Sequence, residues 1–236
     1  TFYDDSVLRH RIAVEDKSIL ADIERIVESG RNKKVLVIAN TIDRATEIYN
    51  QLKDDHVYLF HARFLQKDRQ LLEQRLKEFD EDREATGIWI TTQIIEASID
   101  VDFDELYTEL APLDSLFQRF GRCYRKRELL SEDINIRVYT EEVSGVDNVY
   151  DQEILQKSRK FLGNHVSNNG PEINESTKMK MVEKLYSVEE LNGTKFYEEF
   201  KKALGELDRI EDYMISFDEA QKILRGDHAV MVIPRK

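Results

Sequence analysis

The chain has 236 residues, of which 41% are hydrophobic and 35% charged, and its formal net charge is −12. This composition is typical of a globular protein with a heavily charged surface, and no apolar run approaches the roughly 18 residues of a membrane span. The acidic balance argues against a general nucleic-acid-coating protein but permits a nucleic-acid enzyme with a local basic strip. A single cysteine excludes an internal disulfide, so we expect no cysteine-based metal site and a reducing, cytoplasmic location.

The first 140 residues alternate between strand and helix patterns. Short apolar runs bounded by charged residues predict buried parallel strands at 34–39, 56–60, 87–92, 105–110 and 134–139. Apolar residues at helical spacing predict helices at 41–53, 66–79 and 113–122. This alternation predicts a parallel sheet with helical crossovers, in which ligands lie at the carboxyl ends of the strands.

Beyond residue 140 the sequence pattern changes to loop-like segments and amphipathic stretches. Those stretches lie at 148–162, 177–191, 194–213 and 216–225. They predict an all-helical extension over 141–226, and the apolar residues that follow predict the start of a truncated segment with one more strand at 227–236. Because the chain opens on Thr1 without an initiator methionine, we expect it to be part of a longer chain or one subunit of a split gene.

The run "QRFGRCYR" opens a cluster of basic residues in this acidic chain, with five basic side chains and no acid between Gln118 and Arg127. On a helix, Gln118, Arg122 and Arg125 would be spaced i, i+4, i+7 and share one face. Two guanidiniums suit a polyanion that gains charge during a reaction. The alternative is a solvated basic helix end that pairs with the nearby aspartates Asp100, Asp102 and Asp104.

A second motif, "TTQIIEASIDVDFDEL", begins where the strand at 87–92 ends. The hydroxyls of Thr91 and Thr92 can donate to a phosphate without adding charge, and Asp100 can accept from a ribose hydroxyl. In the alternative interpretation, the threonines merely finish a strand and Asp100 pairs with an arginine.

Two lesser patches follow earlier strands. Asn40 and Thr41 come after the first predicted strand, where either could contact nucleic acid or cap the next helix. His61 and Arg63 follow the second predicted strand and could touch a nucleic-acid backbone, although a lone histidine is more often a structural residue.

Two motifs of nucleotide hydrolysis are missing from the sequence. No glycine is followed by lysine, so the phosphate-binding loop GxxxxGK[ST] is absent. The stretch "DELY" at Asp104–Tyr107 has Tyr107 where a DExH or DEAD motif needs histidine or aspartate. We therefore interpret it as unrelated to magnesium binding.

Taken together, the four patches resemble motifs IV, IVa, V and VI of a superfamily two helicase. The likeness lies within residues 30 to 140, and "HARF", "TTQIIEASIDVDFD" and "APLDSLFQRFGRCYR" are similar to the CRISPR-associated helicase-nuclease of type I interference, the Cas-three family. The resemblance implies that residues 1–140 form a second RecA-like helicase lobe.

The resemblance also implies roles for individual residues. Gln118 would face the γ-phosphate and the attacking water, Arg122 and Arg125 would be arginine fingers, and Asp100 would lie near the ribose. Arg119 matches a position that is more often structural. The residues implied for the single-strand backbone are Asn40, Thr41, His61, Arg63, Thr91 and Thr92.

The helicase motifs I to III and the family's HD nuclease domain are absent from this sequence. The resemblance therefore implies that ATP and Mg²⁺ are bound mainly by a first lobe, supplied in cis or in trans, and that this chain alone is inactive. It further implies single-stranded DNA, the HD nuclease domain and an RNA-guided CRISPR surveillance complex as partners, without a membrane.

Two alternatives remain open. The chain could be a lobe of another superfamily two DNA or RNA helicase, or a RecA-like docking module that does not hydrolyse ATP. A first-lobe sequence upstream or in a separately encoded partner would favour the motor.

Overall fold

Within the described residues, seven strands form one sheet with helices on both faces. The computed structural model describes residues 5–52 and 56–211. The strands are β1 His10–Glu15, β2 Lys34–Ile38, β3 Val57–Phe60, β4 Gly87–Thr91, β5 Glu105–Glu109, β6 Ile136–Tyr139 and β7 Glu172–Ile173. The helices are α1 Ile23–Gly30, α2 Ile42–Leu52, α3 Gln66–Glu81, α4 Ile94–Ser98, α5 Leu113–Phe120, α6 Gln152–Asn169, α7 Glu175–Leu185, α8 Val188–Leu191 and α9 Lys195–Glu211, and a 3-10 helix spans Ile19–Asp22.

The strand order is β3-β4-β2-β5-β6-β1-β7, and every neighbouring pair is parallel except β1 and β7. In the register of the central strands, Ile38 pairs with Thr91 on one side and Thr108 on the other. The carboxyl ends of β2, β4 and β5 therefore meet at one edge. This places the loops that follow these strands side by side, as the alternation of elements predicts.

β2 and β4 are largely apolar because helices cover both faces of the sheet. Val35 and Val37 of β2 belong to a buried cluster with residues of α1 and α2 on one face. On the other face, the Trp89 ring stacks on Tyr58 at 4.8 Å and meets Phe79 of α3 edge-on at 6.1 Å. Alternate residues of one strand thus enter two separate cores.

The predicted fold class is confirmed, with a mostly parallel sheet and flanking helices. The five predicted strands and the three predicted helices of the first 140 residues all form, with boundaries shifted by one or two residues. β1, α1 and α4 were not predicted from the sequence. β1 (HRIAVE) was missed because its charged residues obscure the burial of His10 and Ile12.

Between residues 141 and 211 the regular elements are the helices α6 to α9 and the short strand β7, so the prediction of an all-helical extension needs a small correction. β7 pairs with the outer side of β1, where His10 faces Ile173. Contacts divide the chain into two compact units, one ending at Tyr186 and one beginning at Ser187, which contains α8 and α9. The domain boundary predicted after residue 140 stays a prediction. The helix predicted at 216–225 and the strand predicted at 227–236 lie outside the described residues.

Replacement of Gly87 by alanine is expected to destabilise the sheet by at least about 2 kcal/mol. Gly87 opens β4 with φ +144°, and an added Cβ would lie 2.6 Å from the carbonyl oxygen of His56. Gly163, inside α6, is the matched control because an added Cβ would meet no atom within 4 Å. Gly163→Ala should stabilise the protein by about 0.5–1 kcal/mol. Urea unfolding measures both, and a Gly87→Ala variant as stable as the native chain would contradict this prediction.

Candidate nucleotide and nucleic-acid sites

The segment that carries the basic cluster leaves helical geometry early. α5 ends at Phe120, and Tyr124 then adopts a left-handed conformation with φ 49°. The prediction that Gln118, Arg122 and Arg125 share one helical face is wrong, because both arginines lie beyond the end of the helix. The turn at Tyr124 instead sets the direction in which each arginine leaves the backbone.

Gln118, Arg122 and Arg125 nevertheless line one open pocket of about 330 Å³. Gln118 is exposed, and Gly121 adds backbone surface between the glutamine and the arginines. The remaining lining residues are Arg9, His10, Glu96, Phe117 and Glu175. The pocket offers guanidinium and amide donors to a ligand, which is the chemistry that binds phosphate oxygens.

Arg122 is held by the backbone of α4. Its Nε donates to the carbonyl of Ile95 at 2.9 Å, and its Nη2 donates to the carbonyl of Glu96 at 2.6 Å. Burial lowers the pKa of Arg122, and the positive charge of Arg125 lowers it further. Because backbone carbonyls carry only partial charges, these two bonds orient the guanidinium without neutralising it.

Arg125 and Asp100 form an ion pair, with Arg125 Nε 2.9 Å from Asp100 Oδ1. Their side chains are 36% and 57% exposed. An exposed pair of this kind contributes about 0–1 kcal/mol, so a phosphate can replace the carboxylate at little cost. Lys126 Nζ lies 3.6 Å from the same carboxylate.

The aspartates just before the basic cluster form ion pairs with Arg127, near the C-terminal end of the cluster. Arg127 contacts Asp102 at 2.9 Å and Asp104 at 2.7 Å, and its guanidinium lies 4.4 Å from the ring centre of Tyr124. The ion pairs of the alternative interpretation are thus present for Arg125 and Arg127. Within the described residues, the hydrogen bonds of the Arg122 guanidinium go to backbone carbonyls.

Arg119 is fully buried and links several elements. Its Nε donates to Glu96 at 2.8 Å, and its Nη1 donates to Thr108 Oγ1 at 2.8 Å and to the carbonyl of Glu109 at 3.2 Å. Its Nη2 donates to the hydroxyl of Tyr150 at 3.0 Å. Burial raises the pKa of Glu96, and the charge of Arg119 opposes that rise. These contacts are those of a structural residue.

Asn40 lies in a buried network at the carboxyl edge of the sheet. Its backbone N–H donates to Glu109 Oε2 at 2.7 Å, and its side-chain amide donates to the carbonyls of Leu110 and Ser144 at 2.8 and 3.2 Å. Gln93 Nε2 donates to its backbone carbonyl at 2.7 Å. Asn40 is 1% exposed, so its side chain secures the loops around it.

The threonines predicted to contact nucleic acid are either buried or already hydrogen-bonded within the protein. Thr91 and Thr92 are 1% and 4% exposed, and the Thr91 hydroxyl donates to the carbonyl of Thr92 at 3.3 Å. The Thr41 hydroxyl accepts from the backbone N–H of Arg44 at 3.2 Å, which is the bond of a helix cap. The capping interaction that we left open for Thr41 is therefore present.

His61 and Arg63 stand at the same edge, in the turn after β3. The His61 ring stacks on Phe64 with centroids 4.3 Å apart, and its Nδ1 is buried without a partner among the described residues. Burial lowers the pKa of His61, and the charge of Arg63 contributes. Arg63 is exposed, so it is the cation of this group most available to a strand phosphate.

The two groups of predicted residues lie at opposite edges of the sheet. Asn40 and His61 follow the carboxyl ends of β2 and β3. α5 begins at that edge and runs back to the amino edge, where Cys123 pairs with Phe103 just before β5 begins. The carboxyl ends are where the alternation of elements predicts ligands, but α5 carries the arginines across the sheet toward the amino edge.

Sequence reasoning missed three polar residues at these edges. Gln93 and Glu109 belong to the Asn40 network, and a carboxylate in the apolar run "ELYTEL" was a signal that could have drawn attention to Glu109. Arg9 lines the arginine pocket, and nothing in its local sequence indicates that position.

Among residues 5–52 and 56–211, no group of three or more His, Cys, Asp or Glu side chains could hold a metal ion. In the same part of the chain, every helix is too short or too polar to cross a membrane.

Comparison with known proteins identifies the family. Residues 31–128 match the family model described as the C-terminal part of the CRISPR-associated nuclease/helicase Cas3. The Cas3 nuclease/helicase of Methanothermobacter thermautotrophicus is 30% identical over 228 residues, which cover 94% of this chain and 26% of that relative. The chain belongs to the Cas3 family. The resemblance drawn from the motifs is thus confirmed.

A second relative agrees with this membership, and two solved structures share the fold. The Cas3 endonuclease/helicase of Escherichia coli strain K12 is 38% identical over 115 residues, which cover 45% of this chain and 13% of that protein. A crystal structure of T. fusca Cas3 with AMPPNP has a TM-score of 0.68 at 21% identity and covers 85% of this chain and 26% of that one. A chain of a pre-nicking CRISPR RNA-guided surveillance complex has a TM-score of 0.64 at 17% identity and covers 92% of this chain and 28% of that one.

The structural likeness establishes the fold as that of the RecA-like helicase lobe in Cas3. The chain spans about a quarter of the length of the M. thermautotrophicus Cas3 protein. The family model places it at the C-terminal helicase part of Cas3.

Proposed function

We propose that this Cas3 chain is the second lobe of an ATP-driven translocase that moves along single-stranded DNA in type I CRISPR interference. The observation that carries the proposal is the convergence of Gln118, Arg122 and Arg125 on one pocket, although the helix ends before the arginines. A pocket with these donors fits the phosphates of a nucleotide held by another lobe.

In this proposal, Arg122 acts as an arginine finger on the transferred phosphate, because α4 already orients its guanidinium and leaves its charge available. Arg125 exchanges Asp100 for a phosphate oxygen, which frees Asp100 to accept from the ribose. Gln118 is exposed in the pocket and orients the attacking water.

The nucleotide and Mg²⁺ would be held mainly by a first RecA-like lobe. When bound, Mg²⁺ would neutralise phosphate charge from that side. The contribution of this chain would be the arginine donors on the opposite side of the phosphates.

The contacts to the single-stranded DNA would lie at the carboxyl edge of the sheet. Arg63 and His61 would reach strand phosphates directly, and the loops that hold Asn40 and Thr41 would shape the surface beside them. Thr91 and Thr92 would support this edge, and they could contact the strand only after atoms that cover them move. Contacts of this kind are largely independent of sequence.

Arg119 would couple the two edges. Through Glu96 it reaches the wall of the arginine pocket, and through Thr108 and the carbonyl of Glu109 it reaches the strand end beside Asn40. When the two lobes close around a nucleotide, a rigid link of this sort would tighten the contacts to the DNA strand at the opposite edge of the sheet.

The partners in this proposal are the first lobe and an HD nuclease domain, in cis or in trans, and an RNA-guided surveillance complex on target DNA, in the cytoplasm. The first test measures ATP turnover by the chain alone and by the chain combined with a first lobe, each with single-stranded DNA. We expect no turnover above background by the chain alone and DNA-stimulated turnover by the combination.

Substantial turnover by the isolated chain would contradict the proposal, since the chain lacks the phosphate-binding loop. A combination that binds DNA without hydrolysing ATP would favour the docking module. Stimulation by single-stranded RNA and not by DNA would reassign the chain to an RNA motor.

A further inference from the structure

Arg9 lines the same pocket as Gln118, Arg122 and Arg125. It lies outside the helicase-like motifs and outside residues 31–128, which match the family model. It immediately precedes β1 and is partly buried. Its Nε is buried without a hydrogen-bond partner, and within the described residues no carboxylate lies at ion-pair distance from its guanidinium. A buried donor with no partner is costly, so a ligand that supplies an acceptor would be favoured there.

The backbone around Arg9 is fixed against the segment that carries the finger arginines. Asn135 Nδ2 donates to the carbonyl of Arg9 at 2.8 Å, and Asn135 Oδ1 accepts from the N–H of Arg11 at 2.9 Å. His10 Nε2 donates to the carbonyl of Cys123 at 2.8 Å, directly after the first finger arginine. Arg9 is therefore positioned by the same segment that presents the fingers, which limits the ordering that a ligand must impose.

The charges in the pocket favour an anion. Its two carboxylates, Glu96 and Glu175, are each paired with a buried cation, Arg119 and Lys178 respectively. Neither is therefore available to neutralise Arg9. Burial lowers the pKa of Lys178, and the nearby charge of Arg9 lowers it further, so Arg9 adds repulsion that a bound anion would relieve.

We propose that Arg9 is a third phosphate-binding arginine, which contacts the terminal phosphates of a nucleoside triphosphate from the β1 side of the pocket that Arg122 and Arg125 line. This inference rests on the proposed function and deepens it. The phosphates belong to a nucleotide rather than to a DNA strand, because this pocket lies toward the amino edge of the sheet, and the strand contacts lie at the carboxyl edge.

The test is calorimetric titration of the chain with tripolyphosphate at low ionic strength, where screening is weak. We expect Arg9→Ala to weaken binding about tenfold, as for loss of one charge-assisted contact, and Arg9→Lys to retain part of it. Arg31→Ala is the matched control, because Arg31 is exposed, lies outside the pocket and forms an exposed ion pair with Glu28. Its affinity should stay within about twofold of that of the native chain. Far-UV circular dichroism checks that each variant is folded.

The outcomes separate this inference from the proposed function. If Arg122→Ala weakens tripolyphosphate binding and folded Arg9→Ala does not, the role of Arg9 is overturned and the finger pocket stands. If neither substitution changes binding, the pocket is not a phosphate site and both fail. ATP should compete with tripolyphosphate and AMP should not. Competition by a single-stranded oligodeoxynucleotide that Arg9→Ala abolishes would assign the phosphate to DNA and overturn the nucleotide assignment.

Discussion

Replacement of Arg122 by alanine is expected to slow DNA-stimulated ATP hydrolysis by at least about a hundredfold, with binding of single-stranded DNA retained. The physical reason is that Arg122 lines the pocket with an unneutralised charge, while its Nε and Nη2 are held by the carbonyls of Ile95 and Glu96. Such a preoriented donor stabilises charge that develops on the phosphoryl group without reorganisation at the moment of reaction. The measurement is steady-state turnover by the chain combined with its first lobe.

Arg125→Ala should also reduce turnover, because Arg125 is the second guanidinium of the pocket. Arg31→Ala removes an exposed arginine outside the pocket and should leave turnover unchanged. Arg122→Lys keeps the charge but loses the fork, so its rate should lie between those of the native chain and the alanine variant. Native turnover by a folded Arg122→Ala variant would mean that the basic cluster is a solvated surface.

Replacement of Arg119 by alanine is expected to destabilise the fold by about 3–5 kcal/mol. Arg119 is completely buried and Glu96 is 10% exposed, so the substitution leaves a carboxylate without its cation in a nearly dry site. It also removes the donors to Thr108 and to the carbonyl of Glu109. Urea unfolding measures the loss as a lower midpoint with an unchanged slope.

The matched control for Arg119 is Arg127→Ala. Arg127 makes two ion pairs, but its side chain is 42% exposed, so its loss should cost no more than about 1 kcal/mol. Burial raises the pKa of Glu96 above its ordinary value, and Arg119 opposes that rise. The folded Arg119→Ala variant therefore binds a proton at Glu96 more tightly than the unfolded chain does. Part of the variant's loss in free energy of unfolding should be recovered as the pH falls from neutrality through the raised pKa of Glu96. Equal losses for Arg119→Ala and Arg127→Ala would contradict the structural role of Arg119.

The sheet could be predicted from sequence because a parallel strand covered on both faces is a near-continuous apolar run. Val35 and Leu36 face different cores, so the run "KVLVIA" shows no alternation and is easily recognised. β1 was missed because it lies near the edge of the sheet, where only some residues are buried and charged ones intervene. Its pairing with β6 depends on contacts across more than a hundred residues of sequence, which no local pattern encodes.

The roles of the candidate site residues stay predictions, and the structure bears only on their grouping. Gln118, Arg122 and Arg125 do share a pocket, but the helical spacing used to predict it stops at Phe120. The left-handed turn at Tyr124 cannot be inferred from a residue type that rarely adopts it.

The two interpretations of the basic cluster also proved compatible in the structure. Arg125 and Arg127 pair with the neighbouring aspartates, as the solvated alternative requires, while Arg122 contacts no carboxylate at ion-pair distance among the described residues. Sequence proximity indicates which charges can meet. It does not indicate which arginine is held by backbone carbonyls and keeps its charge available.

The most direct test of the account is a structure of this lobe joined to its first lobe, with DNA and a transition-state analogue of ATP bound. The account predicts that the guanidiniums of Arg122 and Arg125 lie within about 3.2 Å of the phosphoryl mimic, with the Arg125–Asp100 ion pair broken. It would be contradicted by a closed complex in which this pocket faces solvent and both arginines keep the contacts described above.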